Sequence, residues 1–203
     1  MSVYAKIYYS HIIVSVAFYV YAYTYFRRES FQRIRRTLAA CNLVAFIILS
    51  AYRVMPPRLL PERYGFVDVL HPSDGSSGSA WTHNRFQLTI AAMPSLHFGM
   101  ASFVAYCLMR FSPHKYLQAF AAVWPTAMLC TILATANHFL LDAMVGALVP
   151  VVAWRINKVF LVFRPVEEWL FWLAKTAKPR TADQDPPAYR AMQKRQDEEE
   201  RLH

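Results

Sequence analysis

The chain has 203 residues, of which 56% are hydrophobic, 15% aromatic and only 17% charged. Soluble domains carry about a quarter charged residues, so this composition excludes an ordinary soluble globule and points to a polytopic membrane protein. The formal net charge of +9 is not a nucleic-acid signal. Its Arg and Lys fall in short segments between apolar runs, where they set topology and meet anionic headgroups.

Taken in order, the apolar runs predict five spans. The first covers 7–26 and is ended by Arg27 and Arg28. It lacks a basic start and a small-residue cleavage site, so it reads as a span and not a signal peptide. The second, 37–52, is short, with Arg36 and Arg53 at its ends to snorkel. The third starts near Pro94 and ends near Phe111, most of it within a stretch without Asp, Glu, Lys or Arg from 86 to 109. The fourth covers 116–136 and the fifth 138–163, with Arg155 and Lys158 in its last turns. The segment 163–175 carries Trp169 and Trp172 and reads as an interfacial helix, or as a solvated end of the fifth span. The fold class is therefore all-α: a membrane-embedded bundle over 1–178, followed by a polar cytoplasmic tail over 179–203. The S-D-G-S-S-G of 73–78 reads as a flexible turn. Cys41, Cys107 and Cys130 all lie in apolar runs, as small packing residues and not a disulfide framework. No N-x-S/T sequon is present to report on sidedness.

Five arginines stand between 27 and 36, which places that connection on the cytoplasmic side. Alternation then puts Arg110 and Lys115, and the cations after 154, on the same side. Segment 53–93 and the turn at 135–137 face outside or the lumen. The unusual polar residues Arg58, His97, His138 and Asp142 gather at that outer end.

Asp142 is the only acid between Asp74 and Glu167. A carboxylate in a span is costly without a partner, and His138 lies four residues earlier. On a helix that spacing stacks the two side chains, so the carboxylate can fix the imidazole tautomer and raise the basicity of its other nitrogen. Such a histidine is a good nucleophile or base; a buried polar pair that only packs helices is the plainer alternative. Pro94 suits a helix's first turn, Ser95 offers a hydroxyl, and the free N–H groups of that turn suit a phosphate. His97 in the same turn is placed to protonate a leaving oxygen, or only to sit at the headgroup boundary. Arg58 follows Pro56 and Pro57, which stiffen the backbone under a guanidinium fork suited to phosphate or to anchoring in headgroups. Arg53, Arg63 and Arg85 on the same side read as lipid-facing or solvated. Gly99 permits close helix approach. Two histidines and an aspartate make a conceivable metal set, but no H-x3-H or H-E-x2-H occurs and Arg58 would repel a cation, so neither metal nor cofactor is expected.

P-S-L-H (94–97) followed by H-F-L-L-D (138–142) resembles the type-2 phosphatidic acid phosphatase superfamily, whose second motif is P-S-G-H and whose third ends H-x3-D. Leu96 in place of Gly, with P-P-R-L-L-P (56–61), G-F-V-D (65–68) and A-N-H-F-L-L-D (136–142), is similar to its inositolphosphotransferase branch, which includes fungal inositol phosphorylceramide synthases. The resemblance covers roughly 50–150. It implies a phosphohistidine formed on His138, oriented by Asp142, with His97 protonating the leaving group and Arg58 and Ser95 holding phosphate. It also implies a lipid phosphate or phospho-headgroup as substrate, without a metal, in an endomembrane (Golgi or ER) or plasma membrane with the site lumenal or extracellular. The pattern departs from the superfamily at two places. Ala51 stands where the first motif K-x6-R-P has its Lys, and Thr131-Ile132 where the third has S-R. The superfamily core has six spans against five here, consistent with the lack of an N-terminal helix. The other functions compatible with the chain are a non-catalytic protein of the same fold that binds lipid phosphate headgroups, and a small transporter or channel subunit.

Overall fold

The computed structural model describes residues 3–66 and 92–176. Six α-helices follow one another: α1 (Val3–Tyr25), α2 (Arg28–Ala51), α3 (Leu96–Phe111), α4 (Lys115–Ala134), α5 (Leu140–Ile156) and α6 (Arg164–Leu173). Short 3-10 segments occupy Pro57–Leu59, Glu62–Tyr64 and Asn157–Phe163, and no strand occurs among the described residues. The expected tail over 179–203, the turn at 73–78 and Arg85 lie outside them.

The all-α membrane bundle expected from composition is what is found. Four helical segments are long and apolar enough to cross a membrane: Val3–Tyr25, Arg28–Ala51, Lys115–Ala134 and Leu140–Leu173. α3 is apolar but has 16 residues, about 24 Å at the usual rise, and is the shortest of the five bundle helices, one residue shorter than α5. It is also the most enclosed. Ala101, Phe103, Val104, Ala105, Cys107 and Leu108 are all buried, packed by α4 on one side and α5 on the other. α2 packs on α5, and α1 on α4 and α3.

Three expectations need correction. The arginine-rich connection after α1 is not a loop: α2 begins at Arg28 and runs 24 residues. Arg, Glu and Gln are good helix formers, Glu29 stands in the first turn, and the cations reach water along the helix without breaking it. Arg33 lies 3.8 Å over the Trp154 ring and Arg35 3.9 Å from Glu167. The fifth span starts at Leu140, two residues later than expected, and tightens at Asn157, whose Nδ2 donates to the Trp154 carbonyl (2.5 Å). The α-helix therefore stops at Ile156, and α6 is a separate helix with no buried residue. Cys41 and Cys107 are buried as expected, but Cys130 is exposed, because it lies on the face of α4 turned away from its neighbours.

The bundle has two unlike ends. At one, Tyr21 Oη pairs with Ser112 Oγ and His114 Nδ1, each at 2.7 Å, and Phe26, Ile34, Phe111, Leu117 and Trp154 share one apolar cluster. This ties α1, α2, α5 and the α3–α4 connection together where the bundle's arginines collect. At the other end stand the residues described next.

Candidate active site

The site is assembled on a backbone crossing. Gly146 of α5 faces the N-terminus of α3 so closely that a Cβ built on it would run into the Ser95 carbonyl, and one built on Gly99 would run into the carbonyl of Gly146. Main chain therefore touches main chain. The contact is locked by a hydrogen bond from Ser95 N–H to the Asp142 carbonyl at 3.0 Å. Ser95 is the residue before α3, so Pro94 lies just outside the helix and not in its first turn. The Ser95 side chain is fully buried and its Oγ has no hydrogen-bond partner among the described residues.

His97, in the first turn of α3, is half-buried and not simply at a wet surface. Its ring lies 6.2 Å from that of His138, centroid to centroid. His138 is 8% exposed and stands before α5, in the turn that leaves α4. Its backbone N–H donates to the Ile132 carbonyl (3.3 Å). Its Nδ1 lies 2.7 Å from the Ala92 carbonyl. A carbonyl only accepts, so Nδ1 carries the hydrogen and, in the neutral ring, Nε2 keeps the lone pair.

Asp142, 2% exposed, is close to His138 but does not hold it in the expected way. Its Oδ2 accepts from the backbone N–H of Phe139 at 2.7 Å and lies 4.0 Å from His138 Nδ1. The expected helical stacking of the two fails because only Asp142 is on the helix. The carboxylate caps α5 and acts on the imidazole through charge, while the Ala92 carbonyl sets the ring's orientation. Burial holds the His138 imidazole below its ordinary value, with the Ala92 hydrogen bond and the Asp142 charge opposing that shift and the Arg58 charge adding to it.

Arg58 sits in the 3-10 turn Pro57–Leu59, half-buried, between the buried prolines and the end of α4. Its backbone N–H donates to the Ala136 carbonyl (2.9 Å) and its guanidinium donates to Asn137 Oδ1. Asn137 Nδ2 in turn donates to Thr135 Oγ1 (2.7 Å), and Thr135 Oγ1 donates to the Thr131 carbonyl (2.8 Å). The cation is thus aimed by a buried polar chain. Arg53 and Arg63 are exposed, as expected of solvated or lipid-facing residues.

The five residues singled out from sequence therefore stand on elements that meet at one end. Sequence reasoning missed Ala92, Asn137, Tyr8 and His11. Asn137 was legible as the polar residue beside His138. The other three had no signal, because a carbonyl carries no residue identity and α1 lies far away in the chain. Ile132, where the superfamily has Arg, is fully buried in the core, and Ala51, where it has Lys, is exposed at the end of α2. Among the described residues no three His, Cys, Asp or Glu side chains converge as metal ligands do.

A family model for the PAP2 superfamily matches residues 1–156. No curated protein and no solved structure matches the chain.

Proposed function

The chain belongs to the PAP2 superfamily, and on that premise we propose that it is a phosphotransferase or phosphatase acting on a lipid-linked phosphate through a phosphohistidine on His138. Phosphatase-type chemistry on a phosphate-bearing substrate comes with the superfamily. Membership and the long apolar helices make the chain an integral membrane protein. The finer reading rests on one observation above all: a buried histidine whose Nδ1–H is committed to a carbonyl, with Nε2 making no hydrogen bond among the described residues and a second histidine beside it.

In the proposed reaction Nε2 of His138 attacks phosphorus. The phosphorus–nitrogen bond forms as the ester phosphorus–oxygen bond breaks, and protonated His97 gives its proton to the leaving alcohol. Water or a second alcohol then attacks the phosphohistidine, His97 takes the proton back, and the phosphorus–nitrogen bond breaks. Asp142 stabilises the cationic imidazole that forms in the first step. Arg58, the N–H groups opening α3 and the Ser95 hydroxyl take the phosphate oxygens. With two of the superfamily's usual cations replaced by Ala51 and Ile132, Arg58 carries more of that load.

The P-S-L-H and A-N-H-F-L-L-D motifs favour the inositolphosphotransferase branch, hence transfer of a phospho-headgroup between lipids. The arginine-rich end at α2 favours a lumenal or outer location for the site. The test is phosphate release from, and headgroup transfer between, candidate lipids by detergent-purified wild type and His138→Ala. A phosphohistidine trapped in wild type and missing from the variant is expected. Equal rates in both would leave the chain as a headgroup-binding protein of the same fold.

A further inference from the structure

α1 contributes nothing to the motifs that define the site, yet it brings two rings to it. Tyr8 stacks on His97 with centroids 4.3 Å apart and planes 26° apart. His11 lies 4.9 Å from His97 on the same side. The two are three residues apart and so share a face of α1. Nδ1 of His11 is buried and has no hydrogen-bond partner among the described residues.

An unpartnered polar nitrogen on a membrane-spanning helix is costly, and a Leu or Phe would pack the same space without that cost. A buried imidazole nitrogen with unmet hydrogen-bonding capacity, on a ring packed beside His97, points to a ligand group that would satisfy it. A neutral imidazole gives or takes a hydrogen bond according to tautomer. One ring therefore serves an ester oxygen, which only accepts, and an incoming hydroxyl, which also donates.

We propose that His11 is a further substrate-contacting residue, hydrogen-bonding through Nδ1 the alcohol oxygen that leaves from, and re-enters at, the position next to His97. Tyr8 keeps the His97 ring plane turned toward that oxygen. This rests on the proposed function, and it deepens it: the α1 face becomes the subsite for the alcohol side of the phosphate ester. Substitutions there alter the choice between water and an alcohol acceptor while leaving phosphate capture on His138 in place.

The test compares wild type, His11→Phe, His11→Gln and His138→Ala as full chains in detergent, with p-nitrophenyl phosphate and a short-chain phosphatidic acid as probes. Phosphate release, transfer to added alcohol and melting temperature are read together. His11→Phe is expected to lose about tenfold in kcat/KM, the usual size for an uncompensated hydrogen bond at a substrate. Its melting temperature is expected to hold or rise, since an open polar atom has gone. His11→Gln, which keeps a donor and an acceptor, restores most of the rate. Wild-type kinetics and an unchanged water-to-alcohol ratio in His11→Phe would overturn the proposal. A loss shared equally by Phe and Gln along with a fall in melting temperature would also overturn it, by making His11 structural. Wild type no faster than His138→Ala on either probe would overturn the catalytic reading and this proposal with it.

Discussion

The two ends of the bundle are built from the same side-chain types and put to opposite use. At the α2 start, Arg33 lies on Trp154, and Tyr21 is paired with Ser112 and His114. There the polar groups find partners inside the protein and join helices. At the other end, Ser95 Oγ and His11 Nδ1 are buried with no hydrogen-bond partner among the described residues, while Asp142 caps α5 and the Ala92 carbonyl orients His138. The paired groups at the first end join helices, whereas the second end combines paired groups with the two buried atoms just named.

The largest break in that contrast is expected from His138→Ala. On the proposed mechanism this removes the nucleophile, at a cost of about 10⁴-fold or more in turnover, and with the α5 cap intact the melting temperature should move little. A comparable loss of stability would show that His138 belongs with the structural end. Next comes Gly146→Ala, which forces α3 from α5. A displacement of about 1 Å costs about 10²-fold in rate, and overpacking destabilises by about 1–3 kcal/mol. Turnover and thermal denaturation measured on one preparation would show both effects together, and an active, stable variant would sink the close crossing. Arg58→Lys keeps the charge but loses the fork aimed by Asn137. A rise in KM of about tenfold with a smaller change in kcat is expected, read from substrate titration.

The pH profile offers a finer test. Because burial lowers the His138 value below 6.5, the ring stays neutral and nucleophilic as pH falls past that point. The acid limb of kcat/KM attributable to His138 therefore lies below pH 6.5. The unfolded chain takes up the proton first, so the stability this group contributes is present above pH 6.5 and fades as pH falls toward the folded value. Asp142 pulls the value upward, so Asp142→Asn should move the limb further down; an upward move would refute the assignment of causes. The smallest effect belongs to the opposite end. Tyr21→Phe loses its two hydrogen bonds for about 1 kcal/mol of stability and should leave kcat/KM at the wild-type value.

Much of the bundle was legible because apolar runs and arginine placement are sequence-local signals. α1, α4 and the start of α3 fall within a few residues of their expected bounds. The helix at 28–36 was hidden because its residues are charged, and charge was read as connection when the side chains only needed to reach water. Near the site, His138, Asp142 and His97 were visible as rare ionisable residues in apolar surroundings. Their relation was misjudged where spacing was taken as helical: His138 precedes the helix, so a backbone carbonyl 46 residues away took the place given to Asp142. Contacts made by main chain, and rings brought by α1, leave no local trace.

The crossing of α3 and α5 has a consequence for how the protein lives in its bilayer. Side chains between helices act as a compliant layer, and here that layer is missing at Gly99, Gly146 and Ser95. A change of helix tilt imposed by a thicker or thinner membrane is then passed undamped to the pair of elements that carry His97 and Asp142. The spacing of those two elements is thereby tied to the tilt of the helices that carry them.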